Sequence, residues 1–141
     1  MKVLLDTDIL SEIQRAKNNA VLNRSSAYEE THEPLSLSSL SLFEIVQGWH
    51  HAGRPERASI FLSWASRRVV LPFDHRCAHL AGQIGGALMR VGRTIGVVDV
   101  CLAATAIQHG RVLVSGNTAH FGYVRDAGFD LQLENWRDDP G

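Results

Sequence analysis

The 141-residue chain has 14 Lys and Arg residues against 15 Asp and Glu residues, and this balance, a formal net charge of −1, excludes a general electrostatic attraction to nucleic acids or membranes. The length predicts one domain, residues 1–141, and two cysteines without paired spacing exclude a disulfide framework or a zinc site. No stretch approaches the roughly 18 apolar residues of a membrane span, so we expect a cytoplasmic protein with no membrane partner.

Strands and helices are predicted to alternate along the first half of the chain. The apolar run from Lys2 to Leu5 predicts a first strand, followed by a helix from Ile9 to about Lys17. A polar stretch from Asn18 to Glu33 then leads to a short second strand, Leu35 to Ser38. The helical spacing of the apolar residues from Ser41 to about His51 predicts the next helix.

The second half of the chain continues this alternation. Pro55 to about Ser66 is predicted to be a helix and Val69 to Phe73 a third strand, after which Asp74 is expected to cap a helix that runs to about Val91. The remaining predicted elements are a loop from Gly92 to Val98, an apolar helix from Val100 to Gln108 opened by Asp99, and two strands, Val112 to Ser115 and Asp130 to Glu134.

Strands separated by helices predict an α/β fold, because parallel strands are joined by crossovers that are usually helical and right-handed. We expect a three-layer α/β/α, Rossmann-like arrangement with a mostly parallel, five-stranded sheet covered on both faces. In such folds ligands bind beyond the carboxyl ends of the strands. The residues that follow each strand are therefore the first candidates for a functional site.

Acidic and polar side chains converge on that edge of the predicted sheet. Asp6 follows the first strand, Asp99 stands at a helix start, and a Ser115-Gly116-Asn117 turn follows the fourth strand. Glu44, one turn into the helix after the second strand, is expected to reach the same edge. Oxygen ligands without His or Cys at ligand spacing suit Mg²⁺ or Mn²⁺, which promotes phosphodiester hydrolysis by neutralising charge and activating water.

Each acid also has a structural alternative. Asp8 is expected to cap the following helix, whereas Asp6 comes too early in the chain for that role. Glu44 follows Ser41 in the S-x-x-E pattern of a capping box, and Asp99 could be an ordinary carboxylate in the first turn of a helix. Three acids at one edge of one sheet would nevertheless repel one another unless a cation joined them.

Five segments, spread over nearly the whole chain, share their order and spacing with a known family. They are LLDTDILSE at 4–12, SLSLFEIVQG at 39–48, VVDVCLAATAIQHG at 97–110, LVSGNTAHF at 113–121 and LENW at 133–136. With these segments the chain resembles the PIN-domain endoribonucleases, specifically the VapC-type toxins of bacterial type II toxin–antitoxin modules. The resemblance implies a Mg²⁺-dependent ribonuclease, with Mn²⁺ as a substitute, whose metal ligands are Asp6, Glu44 and Asp99. It also implies an RNA substrate, a homodimer, and an antitoxin whose C-terminal segment covers the active crevice.

The chain departs from the family pattern at two positions. Asp8 stands where the family usually has Asn, and Asn117, which can still offer a carbonyl oxygen as a catalytic-site ligand, stands where it often has a fourth acid. With Asp6, Glu44 and Asp99 ionised the site carries −3, so that one Mg²⁺ leaves −1 and two leave +1. A second ion is therefore expected to bind weakly, unless Asp8 turns inward.

Other residues near the acids are candidate substrate contacts. Thr7 and Ser115 carry hydroxyls that are predicted to bind a metal-bound water or a phosphate, with hydrogen bonding within their turns as the alternative. Arg93 is the predicted phosphate contact in the loop before Asp99, and His120 is either a substrate contact or a surface residue.

Two other function classes are considered. A receiver-type signalling domain has a similar length and acids after its first strand, but it needs a lysine after the last strand that lines the crevice. The only lysines are Lys2 and Lys17, which counts against this class. A PIN-derived RNA-binding module with little catalytic activity is the second alternative, because Asn117 replaces an acid.

Overall fold

The computed structural model describes residues 1–137, which contain seven helices and five strands. The predicted domain, residues 1–141, thus includes four residues, 138–141, that lie outside the described part of the chain. In chain order the elements are β1 (Val3–Leu5), α1 (Thr7–Arg15), α2 (Asn19–Thr31), β2 (Ser36–Ser38), α3 (Ser39–His51), α4 (Pro55–Ala65), β3 (Val69–Leu71), α5 (His75–Arg90), α6 (Val97–Gln108), β4 (Val112–Val114), α7 (Thr118–Asp126) and β5 (Leu133–Glu134).

The five strands form one sheet in the order β3-β2-β1-β4-β5, with every pairing parallel. Leu5 of β1 pairs with Leu37 of β2 on one side and with Val114 of β4 on the other. The chain builds the sheet outward from β1 to β3 and then crosses back to place β4 on the other side of β1. The strand order therefore reverses between β1 and β4, which is where α/β sheets open a crevice for ligands.

Helices cover both faces of the sheet, and the side chains of β1 alternate between them. Val3 and Leu5 belong to a core shared with α1 to α4, whereas Leu4 belongs to a second core shared with α5, α6 and α7. The α6 segment from Leu102 to Ala106 is buried throughout, as its apolar composition predicts. These two cores confirm the predicted three-layer α/β/α architecture. Within residues 1–137, no helix combines the length and apolarity needed to cross a membrane.

Two helices were not predicted. The polar stretch after α1 forms α2, capped by the side chain of Asn18, which accepts a hydrogen bond from Val21 N–H at 3.1 Å. Tyr28 ties α2 to the sheet, because its hydroxyl accepts a hydrogen bond from Val3 N–H at 3.2 Å. The second unpredicted helix, α7, follows Asn117.

Several predicted boundaries are wrong by a few residues. Strand β3 ends at Leu71 rather than Phe73, and β5 begins at Leu133 rather than Asp130. Helices begin earlier than predicted, since α1 starts at Thr7, α3 at Ser39 and α6 at Val97. The predicted cap of α5 is confirmed, because the Asp74 carboxylate accepts from Cys77 N–H at 3.0 Å.

Arg111 ties the amino ends of the central strands together. Its Nη1 donates to Val3 O at 3.3 Å, to Glu33 Oε1 at 3.0 Å and to the hydroxyl of Ser36. The Arg111 side chain is 10% exposed, and its Nε is buried without a hydrogen-bond partner. Arg111 is therefore a structural cation rather than a ligand-binding one.

Arg111→Met is expected to lower the free energy of unfolding by about 2 kcal/mol, measured by urea denaturation. Breaking a buried ion pair costs about 3–5 kcal/mol, and the partial exposure of Glu33 reduces that expectation. Arg54→Met is the matched control, because the Arg54–Glu56 pair is exposed on both sides. Equal urea midpoints for the two variants would contradict the structural role of Arg111.

Candidate active site

Asp6 stands at the carboxyl end of β1 and begins α1. Its N–H donates to Val114 O at 2.9 Å, and its carboxylate Oδ1 accepts from Thr7 N–H at 2.6 Å. Asp6 is therefore the N-cap of α1, and the prediction that Asp8 caps this helix while Asp6 comes too early is wrong. The strand ends directly before Asp6, so the extended backbone that an N-cap requires falls on that residue.

Ser115 holds the second oxygen of Asp6 from the end of β4. Its hydroxyl donates to Asp6 Oδ2 at 2.7 Å and accepts from Asn117 N–H at 2.9 Å. Because Ser115 is fully buried, the structure favours the alternative role, hydrogen bonding at the turn, over contact with a phosphate. Ser115 thus positions Asp6.

The Asp6 carboxyl is only 5% exposed, and its pKa is strongly raised. Burial raises the pKa of Asp6 from 3.8 to about 7, with help from the negative charges of Asp8 and, more weakly, Asp99. The hydrogen bonds from Ser115 and Thr7 act in the opposite direction. Ionised Asp6 is therefore electrostatically costly in this position unless a positive charge lies beside it.

Glu44 reaches the same place from α3. Its Oε1 accepts from the Thr7 hydroxyl at 2.7 Å, and Thr7 Oγ1 lies 2.9 Å from Ser41 Oγ. The capping-box alternative is wrong, because α3 is capped by Ser38 through Leu40 N–H, and Ser41 lies inside the helix. Glu44 is thus held towards the site by Thr7, a residue predicted to bind phosphate or to bond within its turn.

Asp99 completes the acidic group from the first turn of α6, whose N-cap, Gly96, offers no side chain to the helix. Burial raises the pKa of the half-buried Asp99 carboxyl first, followed by the negative charge of Glu44, while His120 lowers it. Glu44 raises the pKa of Asp99, and Asp99 in turn raises that of Asp6, so electrostatic effects link the three predicted ligands in sequence. They come from three separate elements of the fold.

Asn117 is the residue that precedes α7 as its N-cap. Its Nδ2 is 3.1 Å from Nδ1 of His120, and its side chain makes no cap to the helix. The His120 ring lies 6.0 Å from that of Tyr123. Since His120 affects the pKa of Asp99, the pair Asn117–His120 borders the acidic group on its α7 side.

Arg137 is a charged neighbour of the site that was missed from the sequence. Its Nη2 lies 3.2 Å from Asp8 Oδ2, and its Nε donates to Glu12 Oε1 at 2.6 Å. Asp8 is held by two backbone groups, because its Oδ1 accepts from Ile9 N–H at 2.8 Å and its Oδ2 from Gly116 N–H at 3.2 Å. Its negative charge nevertheless raises the pKa of both Asp6 and Asp99. The one feature of the sequence that could have indicated this role is the position of Arg137 directly after the LENW segment.

Comparison with known proteins identifies the family. A family model for the PIN domain matches residues 3–125. The chain belongs to the PIN-domain family. The "tRNA(fMet)-specific endonuclease VapC" of Shigella flexneri is 31% identical over 137 residues, which cover 96% of this chain and 98% of that protein. "Ribonuclease VapC2" of Haemophilus influenzae is 28% identical with the same coverage. This PIN domain is therefore of the VapC toxin type, as its sequence segments predict.

Solved structures agree with the predicted PIN fold. VapBC2 from Rickettsia felis, bound to a DNA fragment from its promoter, contains a chain with a TM-score of 0.83 and 25% identity, covering 96% of this chain and 99% of that chain. DNA-bound VapBC from Salmonella typhimurium contains one with a TM-score of 0.82 and 27% identity, covering 96% and 98%. Both are described as VapBC bound to DNA.

Arg93 lies next to α7 in the PIN domain. Its Nη1 is 3.3 Å from Asp126 Oδ2, and its guanidinium lies 5.0 Å from the ring centroid of Tyr123. The Arg93 side chain is 52% exposed, so these contacts leave it accessible. Its role as a phosphate contact stays a prediction.

The donor set of the PIN domain suits a hard cation, although the side chains are held by hydrogen bonds. Within residues 1–137, no group of three or more His, Cys, Asp or Glu side chains is arranged as a ready metal site. Glu44 faces Thr7, and both oxygens of Asp6 accept hydrogen bonds. A carboxylate has about four lone-pair positions, so Asp6 keeps capacity to coordinate, whereas Glu44 must turn away from Thr7. Carboxylate and amide oxygens at one edge fit Mg²⁺ or Mn²⁺.

Proposed function

We propose that this VapC-type PIN domain is a Mg²⁺-dependent endoribonuclease toxin, in which Mn²⁺ substitutes for Mg²⁺. The observation that carries the proposal is Asp6, which is buried at the switch point of the sheet with its pKa raised to about 7, partly by Asp99, whose own pKa is raised by Glu44. Such a group of carboxylates is stabilised by a divalent cation. The proposed ligands are these three acids, with Asn117 as a neutral neighbour.

The residues around the acids have positioning roles in the proposed reaction. Thr7 orients Glu44, and Ser115 orients Asp6 through hydrogen bonds of 2.7 Å each. A bound divalent cation supplies a Lewis acid that neutralises charge on a phosphodiester and makes water a better nucleophile. Arg93, which is exposed, is proposed to contact an RNA phosphate outside the acidic group.

RNA is the proposed substrate because relatives that match nearly the whole chain are ribonucleases by name. The proposed metal site would support cleavage of a phosphodiester. Base selection in single-stranded RNA depends on stacking and on the shape of loops. The match to the PIN family rules out the receiver-type alternative.

A cognate antitoxin and a homodimer are proposed partners. The antitoxin is supported by similarity to toxin chains of VapBC complexes. A cleft of about 240 Å³ between α1 and α3 leads from Trp49 to Thr7 and Glu44, and a peptide lying in it would cover Glu44.

The full chain is expected to cut circular single-stranded RNA in Mg²⁺ or Mn²⁺, and EDTA is expected to abolish the cutting. A circular substrate reports internal cleavage, because it has no ends for an exonuclease. Asp6→Asn protein purified in parallel is the control for contaminating nucleases. Cleavage that persists in EDTA would contradict the proposed metal dependence. Tight RNA binding without turnover would favour the RNA-binding module, the alternative suggested by the neutral Asn117.

A further inference from the structure

Arg137 holds together two acidic side chains at the border of the proposed metal site. It contacts Glu12 Oε1 at 2.6 Å through Nε and Asp8 Oδ2 at 3.2 Å through Nη2. Both ion pairs are partly shielded from solvent, since the side chain of Arg137 is 34% exposed and those of Asp8 and Glu12 are 32% and 23% exposed. The second oxygen of Glu12, Oε2, is buried without a hydrogen-bond partner, so Arg137 is the cation that compensates this carboxylate.

The Arg137 guanidinium is packed directly on the turn after β4. A Cβ atom at Gly116 would lie only 1.7 Å from Arg137 Nη1 and 2.5 Å from its Cζ, so any larger residue at Gly116 must displace the guanidinium. The Gly116 N–H donates to the same Asp8 oxygen that Arg137 contacts. Asp8 is thus held by the turn on one side and by Arg137 on the other.

This arrangement determines how much negative charge is available to cations. The three proposed ligands carry −3, and Asp8, whose charge already acts on Asp6 and Asp99, would become a fourth ligand if it left Gly116 N–H and Arg137. Two Mg²⁺ ions leave +1 on three carboxylates and 0 on four, so a fourth carboxylate ligand favours the second ion. We propose that Arg137 acts as a built-in cation that holds Asp8 beside Gly116 and so limits the proposed metal site to one divalent ion. The proposal rests on the proposed function, and it makes Arg137 a positioning residue rather than a catalytic one.

The number of bound cations tests this role directly. Mn²⁺ binding to the full chain is counted by electron paramagnetic resonance and equilibrium dialysis in the absence of RNA. One Mn²⁺ is expected per wild-type chain and two per Arg137→Gln chain, because Asp8 and Glu12 then lose their cation. Arg137→Lys keeps the charge and is expected to bind one, as is the Asp8→Asn/Arg137→Gln double variant, in which the extra carboxylate is removed.

A merely structural role of Arg137 would change stability without changing the number of ions. Arg24→Gln is the matched control, because Arg24 lies 3.7 Å from Glu134 and 5.7 Å from the Trp136 ring, on the same C-terminal segment. The melting temperature of Arg24→Gln shows how much stability is lost with an arginine contact to that segment. This variant is expected to bind one Mn²⁺ ion, as the wild type does.

Gly116→Ala provides a second variant that retains every charge but pushes the guanidinium away, and it is expected to bind two Mn²⁺ ions. One ion bound by Arg137→Gln, or two bound by the wild type, overturns the inference while the proposed metal site stands. If the wild-type chain binds no Mn²⁺, the proposed site itself is overturned, and the inference with it.

Discussion

Asp99→Asn is expected to reduce RNA cleavage in Mg²⁺ by about a thousandfold or more. The substitution keeps the shape of the side chain and one oxygen donor, but it removes one of three charges that the proposed cation requires. A loss of about 4 kcal/mol of transition-state stabilisation corresponds to a thousandfold rate decrease. The fold is expected to persist, because Asp99 is not the cap of α6 and its pKa is already raised by burial and by Glu44.

Single-turnover cleavage over a Mg²⁺ titration measures this effect and separates its two components. Recovery at high Mg²⁺ indicates lost affinity for the cation, whereas a low plateau indicates lost catalysis. Asp130→Asn is the control, because Asp130 lies in the exposed segment before β5 and hydrogen bonds with Gln132 at 3.0 Å. Cleavage by Asp99→Asn at the wild-type rate would show that the metal assignment is wrong.

The sheet and its functional edge could be predicted because strand signals in this chain are local. Val3 to Leu5 and Val112 to Val114 are short apolar runs buried on both faces, the composition that central parallel strands require. Acids and hydroxyls directly after these runs must then lie at the carboxyl edge. Parallel topology alone therefore brings Asp6 and Ser115 together, although 109 positions separate them.

Helix α2 was missed because its stability comes from tertiary contacts rather than from its own pattern. Val21, Ser25 and Tyr28 are its buried residues, and they are embedded among polar neighbours. Tyr28 stacks against His32 and packs near Trp136, which lies far along the chain. Helix α7 likewise buries only Phe121 and Val124. Helices with so few buried apolar residues give little periodic signal.

The assignment of caps and charges failed where it depended on atoms that are distant in sequence. The sequence favours Asp8 as the cap, but Asp6 takes this role in the structure, where its N–H bonds to the Val114 carbonyl of β4 and the strand ends at Leu5. Arg137 contacts Glu12 across 125 positions, a pairing for which no local pattern exists. The three acids could be assigned to one edge of the sheet because Asp6 follows a strand, Asp99 lies in the first turn of a helix and Glu44 lies in the helix directly after β2. Their role as metal ligands stays a prediction.

Asp6→Asn is expected to stabilise the metal-free protein at pH 8 by about 2 kcal/mol or more. In the folded state the pKa of Asp6 is about 7, against 3.8 for the free carboxyl, so the folded chain holds a proton that the unfolded chain has lost. The contribution of Asp6 to stability is therefore fully present below about pH 4 and is lost as the pH rises through 7. Between pH 5 and 7 this loss amounts to about 2–3 kcal/mol.

Urea denaturation in EDTA at pH 5 and pH 8 tests this dependence on the protonation of Asp6. The free energy of unfolding of Asp6→Asn is expected to exceed that of the wild type by more at pH 8 than at pH 5. Saturating Mg²⁺ is expected to reduce this difference, because it stabilises the wild-type carboxylate. Asp74→Asn is the control with the opposite pH dependence. It is expected to lower stability more at high pH than at low pH, because hydrogen bonding by Cys77 N–H lowers the pKa of Asp74. An advantage of Asp6→Asn that is independent of pH would show that burial of Asp6 does not oppose its ionisation. A cation would then no longer be needed to offset that cost, and the electrostatic basis of the proposed metal site would be lost.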